Sequence, residues 1–209
     1  MAAKKFFKTK EEKKSLSPCE QCKLNTVCIS PKLRPEGKGR LGIAVIIDKP
    51  YSSMDKAGIL ASGAEYTFLK NTLDKIGIDL EEDCYLIPVV SCRTPRDRLP
   101  TSKEVKFCKE RFTRMMEKYN PNVVIPMGKW AFDAIIGSRV KGRLTGTGWE
   151  EFINCVIPDQ ELVKFVAPNY SIETMLETKK YEDSGYTSKP LYMRDKAWYN
   201  LWINNFYKA

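Results

Sequence analysis

Residues 84–108 read CYLIPVVSCRTPRDRLPTSKEVKFC, and this stretch sets a strand, a loop and a helix in close succession. Tyr85 to Val90 is a short apolar run of the kind buried on both faces of a sheet. Ser91 to Pro100 is a loop rich in Arg and Pro. Thr101-Ser102-Lys103-Glu104 has the spacing of a capping box, so a helix is expected from there to about Tyr119, with Val105, Cys108, Phe112 and Met115 or Met116 on one side.

The same alternation continues outward. Upstream, Leu41 to Ile47 is a second apolar run, ending in Asp48, and Ala64 to Ile76 has helical spacing through Phe68, Leu69 and Leu73, stopped by Gly77. Downstream, Asn122 to Met127 reads as a strand, and Gly128 leads into a helix Lys129 to Ile136 closed by Gly137. Phe152 to Ile157 and Leu162 to Val166 read as later strands. Pro190 to Tyr207, with Trp198, Leu201, Trp202 and Phe206 at helical spacing, reads as a final helix. Trp130, Trp198 and Trp202 are expected in the core rather than as base-stacking platforms. Strands alternating with helices point to an α/β fold with a parallel sheet covered on both faces. The chain has 209 residues, enough for one substantial core. Residues 1–14, with six lysines, are expected to be a basic flexible tail, and residues 15–209 a single domain.

Lys and Arg number 35 against 26 acidic residues, a net charge of +9, which favours an anionic partner. No apolar run approaches the roughly 18 to 20 residues of a membrane-spanning helix, and the first residues lack the apolar centre of a signal peptide. The expectation is therefore a cytoplasmic protein, or one at a nucleoid or viral replication site, neither secreted nor membrane-bound. Histidine is absent. Imidazole general bases, Cys-His or Ser-His catalysis and zinc sites with an imidazole ligand are thereby excluded.

Seven cysteines in a reducing compartment read as thiols or metal ligands rather than disulfides. Cys19-x2-Cys22 and Cys92-x15-Cys108 form two pairs. Four thiolates suit zinc or an iron–sulfur cluster, and unligated structural thiols are the remaining reading. One short pair with one pair spread over a loop and a helix favours the larger cluster. Cys84 and Cys155 read as small buried hydrophobes, and Cys28 as a substitute ligand.

These residues resemble the family-4 uracil-DNA glycosylases, which carry a four-iron cluster. The resemblance runs from Cys19 to Ser171: Cys19-x2-Cys22-x-Leu24, the strand ending in Asp48-Lys49-Pro50, Asp55-x-x-Gly58 and Gly63, then Cys92-Arg93-x-Pro95-x-x-Arg98-x-Pro100, Cys108, and Val123 to Gly137. It implies a three-layer sandwich with a central, mainly parallel four-stranded sheet flanked by helices. It also implies a 4Fe-4S cluster on Cys19, Cys22, Cys92 and Cys108, and DNA, single strands included, as partner.

Carried over residue by residue, the family's active site is altered. Its first motif, Gly-Glu-Ala-Pro-Gly, falls on Ile47 to Tyr51, so that Asp48 is the catalytic candidate that would position water, and Pro50 and Tyr51 line the pocket. The stacking aromatic falls on Ala61. The asparagine that reads the uracil edge falls on Pro88, which has neither an amide side chain nor an N–H. The histidine falls on Ala167, within Ala167-Pro168-Asn169. Loss of a donor aimed at developing charge costs about 10²- to 10³-fold in rate, and a base stack is worth on the order of 1 to 3 kcal/mol.

The resulting expectation is a DNA-binding protein in replication or repair that keeps the scaffold and cluster without normal uracil excision. Arg93, Arg96, Arg98, Lys129, Asn169 and Tyr170 are the nucleic-acid-binding candidates, with Tyr170 as a wedge beside the duplex. By analogy with replication subunits of the superfamily, a replication polymerase or another replisome protein is an allowed partner. The alternative is an active glycosylase for uracil or a modified pyrimidine, with Asp48 activating water and Asn169 or Tyr51 contacting the base.

Overall fold

In the computed structural model, which describes residues 17–137, 148–153, 155–159 and 164–183, the centre of the molecule is β1 (Ile43–Ile47), buried along its whole length. It pairs in parallel with β2 (Cys84–Pro88) on one side and β3 (Val123–Met127) on the other, Ile43 opposite both Cys84 and Val123. β3 in turn pairs in parallel with β5 (Lys164–Val166), and β4 (Ile157–Asp159) closes the sheet antiparallel to β5. The order is β2-β1-β3-β5-β4. Five strands therefore stand where four are expected. The additional short strand belongs to a hairpin, and the sheet remains mainly parallel.

Helices fill the crossovers. α1 (Pro18–Cys22) precedes the sheet, α2 (Ser52–Ala57) and α3 (Gly63–Asp74) join β1 to β2, α4 (Ser102–Tyr119) joins β2 to β3, α5 (Lys129–Phe132) follows β3, and α6 (Ile172–Asp183) follows β5. Successive side chains of β1 point to opposite faces. Val45 and Ile47 join the core with Leu69 and Leu73 of α3 and Met175 of α6, whereas Ala44 and Ile46 join the core with Phe112 of α4 and Phe132 of α5. The result is three layers.

Local chemistry accounts for the boundaries. Thr101 and Glu104 cap α4 reciprocally, the Thr101 hydroxyl accepting from the Glu104 N–H at 3.3 Å and the Glu104 carboxylate from the Thr101 N–H at 2.8 Å. The helix predicted over Lys129 to Ile136 is α-helical only through Phe132 and widens into a π turn over Asp133–Gly137. The strand predicted at Phe152 to Ile157 begins only at Ile157, because Trp149–Phe152 winds into a 3-10 turn whose rings pack on Phe132. The outer edge of β2 is covered by a bridge between Glu36 and Leu86, which leaves fewer open ladder groups on that edge. The basic tail and the helix predicted over Pro190 to Tyr207, including Trp198 and Trp202, lie outside the described residues.

Candidate functional site

The strand order reverses between β1 and β3, and in open α/β sheets the crevice beyond the strand ends at such a point is where ligands bind. Asp48 leaves β1 there. It is buried, and its Oδ1 accepts the Ala131 N–H at 2.7 Å. Gly128, at φ +103°, makes this approach possible: a Cβ there would stand 2.6 Å from Asp48 Oδ2. Burial pushes the Asp48 carboxyl up to about 7, against the opposing pull of the Ala131 N–H and the Lys49 ammonium.

Beside it lies a residue that the sequence did not single out as a site. Lys49 is only 2% exposed, and its Nζ has no hydrogen-bond partner. The amine stands 4.6 Å from the centre of the Tyr51 ring and 4.0 Å from Glu173 Oε2 at the start of α6. Burial pulls its pKa down, opposed by Glu173, Asp97, Asp48 and Glu65. Burial likewise raises Glu173, and Tyr51 is raised far above the usual tyrosine range. The available signal was a lysine directly after an apolar strand, between Asp48 and a proline. Glu173 gave none, because only the packing of α6 brings it to the lysine.

The four cysteines predicted as a set do converge. Cys19 and Cys22 on α1, Cys92 after β2 and Cys108 on α4 line one cavity together with Leu24, Asn25 and Phe107. α1 packs against α4, which brings residues so distant in sequence together. Burial raises the Cys92 thiol to about 12 and the Cys108 thiol to about 11, and neighbouring thiols of the group add to both shifts. The Lys32 N–H donates to Cys92 Sγ at 3.3 Å, and the Cys28 thiol is hydrogen-bonded to Cys92 as well. Among the described residues, no three His, Cys, Asp or Glu side chains are disposed to hold a metal ion. The four thiols ring a cavity but do not close on one ion centre. Cys84 is buried in a core, as expected, but Cys155 is exposed.

The loop after Cys92 is organised by ion pairs. Arg93 binds Asp97 through two nitrogens, at 2.8 and 2.9 Å, and lies 4.0 Å from Asp55. Arg98 binds Glu104 in the same forked way, at 2.8 and 2.6 Å, tying the loop to the first turn of α4. Arg96 is exposed, with its backbone in the left-handed region at φ 55°. Lys129 pairs with Asp133 at 2.6 Å and lies over the Trp130 ring. Asn169 is buried at the same end of the sheet, bridged to Met127, and its Oδ1 accepts the Tyr170 N–H at 3.0 Å. Tyr170 is partly buried, edge-on to Trp149.

Of the remaining pocket candidates, Pro50 and Tyr51 are buried beside Asp48. Pro88 is buried opposite Ile47, and Ala167 is buried with its N–H donated to Val124. Ala61 lines a cavity of about 210 Å³ with Glu36, Tyr66, Leu80 and Leu86; neither Asp48 nor Tyr51 lines it.

Comparison with known proteins places these features in context. A family model described as the uracil DNA glycosylase superfamily matches residues 36–184. A type-4 uracil-DNA glycosylase of Archaeoglobus fulgidus is 32% identical over 117 residues, 52% of this chain and 58% of that protein. One of Pyrobaculum aerophilum is 28% identical over 110 residues, 53% of this chain and 55% of that protein. A DNA polymerase of Bacillus phage SP01 is 25% identical over 155 residues, 74% of this chain but 16% of the polymerase. The matched stretch thus spans little over half the length of these glycosylases and a small part of the polymerase.

Proposed function

Since the chain belongs to the uracil-DNA glycosylase superfamily, we propose that it is a DNA-binding protein of replication or repair that keeps the glycosylase scaffold without ordinary uracil excision. The observation that carries this reading is the pair Pro88 and Ala167. The resemblance puts them where the family's motifs have the base-reading asparagine and the histidine; both are buried, and neither has a polar side chain to offer. Asp48 is already committed to the backbone at the start of α5.

Phosphate contacts need only a basic surface, so binding outlives a dismantled pocket. The net charge of +9 and the exposed Arg96 and Lys129 support this, with the partly buried Tyr170 as a further candidate. The relative named a DNA polymerase supports a polymerase or another replisome protein as partner. No helix among the described residues is long and apolar enough to cross a membrane.

An iron–sulfur cluster would be held by Cys19, Cys22, Cys92 and Cys108. Their cavity is lined by these thiols, with no carboxylate among its lining residues, a donor set that suits a thiolate-bound cluster. A cluster bound there would link α1, the loop after β2 and α4.

A second reading is an active glycosylase in which Asp48 positions water; its carboxyl, raised to about 7 at the sheet's carboxyl end, favours it. Uracil-containing single- and double-stranded oligonucleotides, incubated with the protein and then treated with alkali, separate the two. The expected result is DNA binding without strand breaks, and breaks that vanish in Asp48→Asn would overturn it. Stoichiometric iron with broad visible absorbance is expected of the purified protein, and bound zinc would refute the cluster.

A further inference from the structure

Charge is not spread evenly along α4. In its first half Lys103, Lys106 and Lys109 are all exposed, and helical geometry sets them within about a third of the circumference, on the side away from the buried Cys108 and Phe112. The one acid of this half is withdrawn from the surface: Glu104 is buried and held by Arg98 through contacts of 2.8 and 2.6 Å. In the second half the signs mix. Glu110 and Glu117 alternate with Arg114 and Lys118, and Glu110, four residues after Lys106, pairs with Arg114 at 3.3 Å. A helix face that is merely solvated mixes signs as the second half does. The first half presents cations alone, and Lys103, Lys106 and Lys109 form no ion pair among the described residues.

The fold sets this half of the helix at the end of the sheet where the crevice lies. α4 carries the chain back from the carboxyl end of β2, where the Val90 N–H donates to the Asp48 carbonyl at 3.2 Å, to the amino end of β1, where the Asn122 N–H donates to the Gly42 carbonyl at 2.8 Å. Its start is therefore at the end that holds Asp48, and its last turn at the other. α1, packed against α4, adds the exposed Lys23 and Glu20, and the Glu20 carboxylate is occupied by the Ser17 N–H at 2.6 Å.

A row of cations that no carboxylate neutralises fits a polyanion of regular spacing. From Lys103 to Lys109 the helix rises about 9 Å, and one strand of duplex DNA carries a phosphate about every 3.4 Å of its axis, so about three phosphates match three ammonium groups. We propose that the first half of α4 is a phosphate-backbone surface for duplex DNA, on which Lys103, Lys106 and Lys109 each neutralise one phosphate. This rests on the DNA-binding reading above and gives it a location. Lysine contacts to phosphate carry no base information, so binding through this face does not depend on sequence or on uracil.

The test measures binding of the full chain to a fluorescent duplex oligonucleotide by anisotropy, over about 50 to 200 mM salt. Lys103→Ala, Lys106→Ala and Lys109→Ala combined are expected to make the salt slope shallower by about 2 to 3, equally for duplexes with and without uracil. Alanine favours the helix, and circular dichroism checks that the variant folds. A control combines Lys38→Ala, Lys75→Ala and Lys118→Ala, which removes the same charge from exposed positions at the amino end of the sheet and is expected to leave the slope nearly unchanged. An unchanged slope in the first variant, or an equal fall in the control, would overturn the proposal and leave the DNA-binding reading intact. Failure of the unmodified chain to bind DNA would overturn both.

Discussion

At the scale of single residues, Asp48 has a measurable consequence for stability. Its carboxyl is raised to about 7 by burial, far above the ordinary range near 3.8. A folded-state pKa above the unfolded one means that the native protein holds the proton more tightly. The stabilising contribution is therefore complete below about pH 4 and is lost as the pH rises through about 7. At about 1.4 kcal/mol per pH unit this amounts to a few kcal/mol. Urea denaturation of Asp48→Asn across this window is expected to show a flatter dependence on pH than the parent; an unchanged slope would place the titration elsewhere. Lys49 works in the opposite direction at higher pH, since its lowered pKa makes the folded state recover stability as the pH approaches 10.5. Asp48 was legible as a site because it ends an apolar strand. Its neighbour in sequence was not, because a lysine after a strand is ordinarily solvated, and only burial without a partner gives it meaning.

At the scale of elements, the loop from Arg93 to Pro100 is bound at both ends. Arg93 grips Asp97 within the loop, and Arg98 grips Glu104, which also closes the cap of α4. These arginines read in the sequence as phosphate contacts, and in the structure each is bound to a carboxylate. Charged partners scattered along a chain do not reveal which of them will meet. The cap itself was legible, since Thr101 and Glu104 are three residues apart before an apolar stripe. Thr101→Ala is expected to cost about 1 kcal/mol, read as a lower urea midpoint with an unchanged slope. Arg96, exposed at the turn of the loop, is the better candidate for DNA. If it contacts one phosphate, Arg96→Ala should reduce the salt slope of duplex binding by about 1. An unchanged slope would remove it from the interface.

At the scale of the whole molecule, the parallel sheet brings three distant pieces of chain to one end: Asp48 to Tyr51 after β1, Gly128 to Ala131 after β3, and Asn169 to Glu173 after β5. The cysteine cavity is built from α1, the loop after β2 and α4. Here the fold holds together segments that no local preference would join. One sheet thereby positions both the thiol-lined cavity and the buried Lys49 with its neighbouring carboxylates.

The sequence by itself determined the alternation of strands and helices, because buried parallel strands must be apolar throughout while helices repeat at 3.6 residues. It also determined the absence of imidazole chemistry, because composition does not depend on folding. The tertiary structure alone decided that β4 turns back antiparallel, that Arg93 and Arg98 face carboxylates, and that Lys49 is buried 4.0 Å from Glu173. Those outcomes depend on desolvation and on distances between residues far apart in the chain, and neither quantity is written in local sequence.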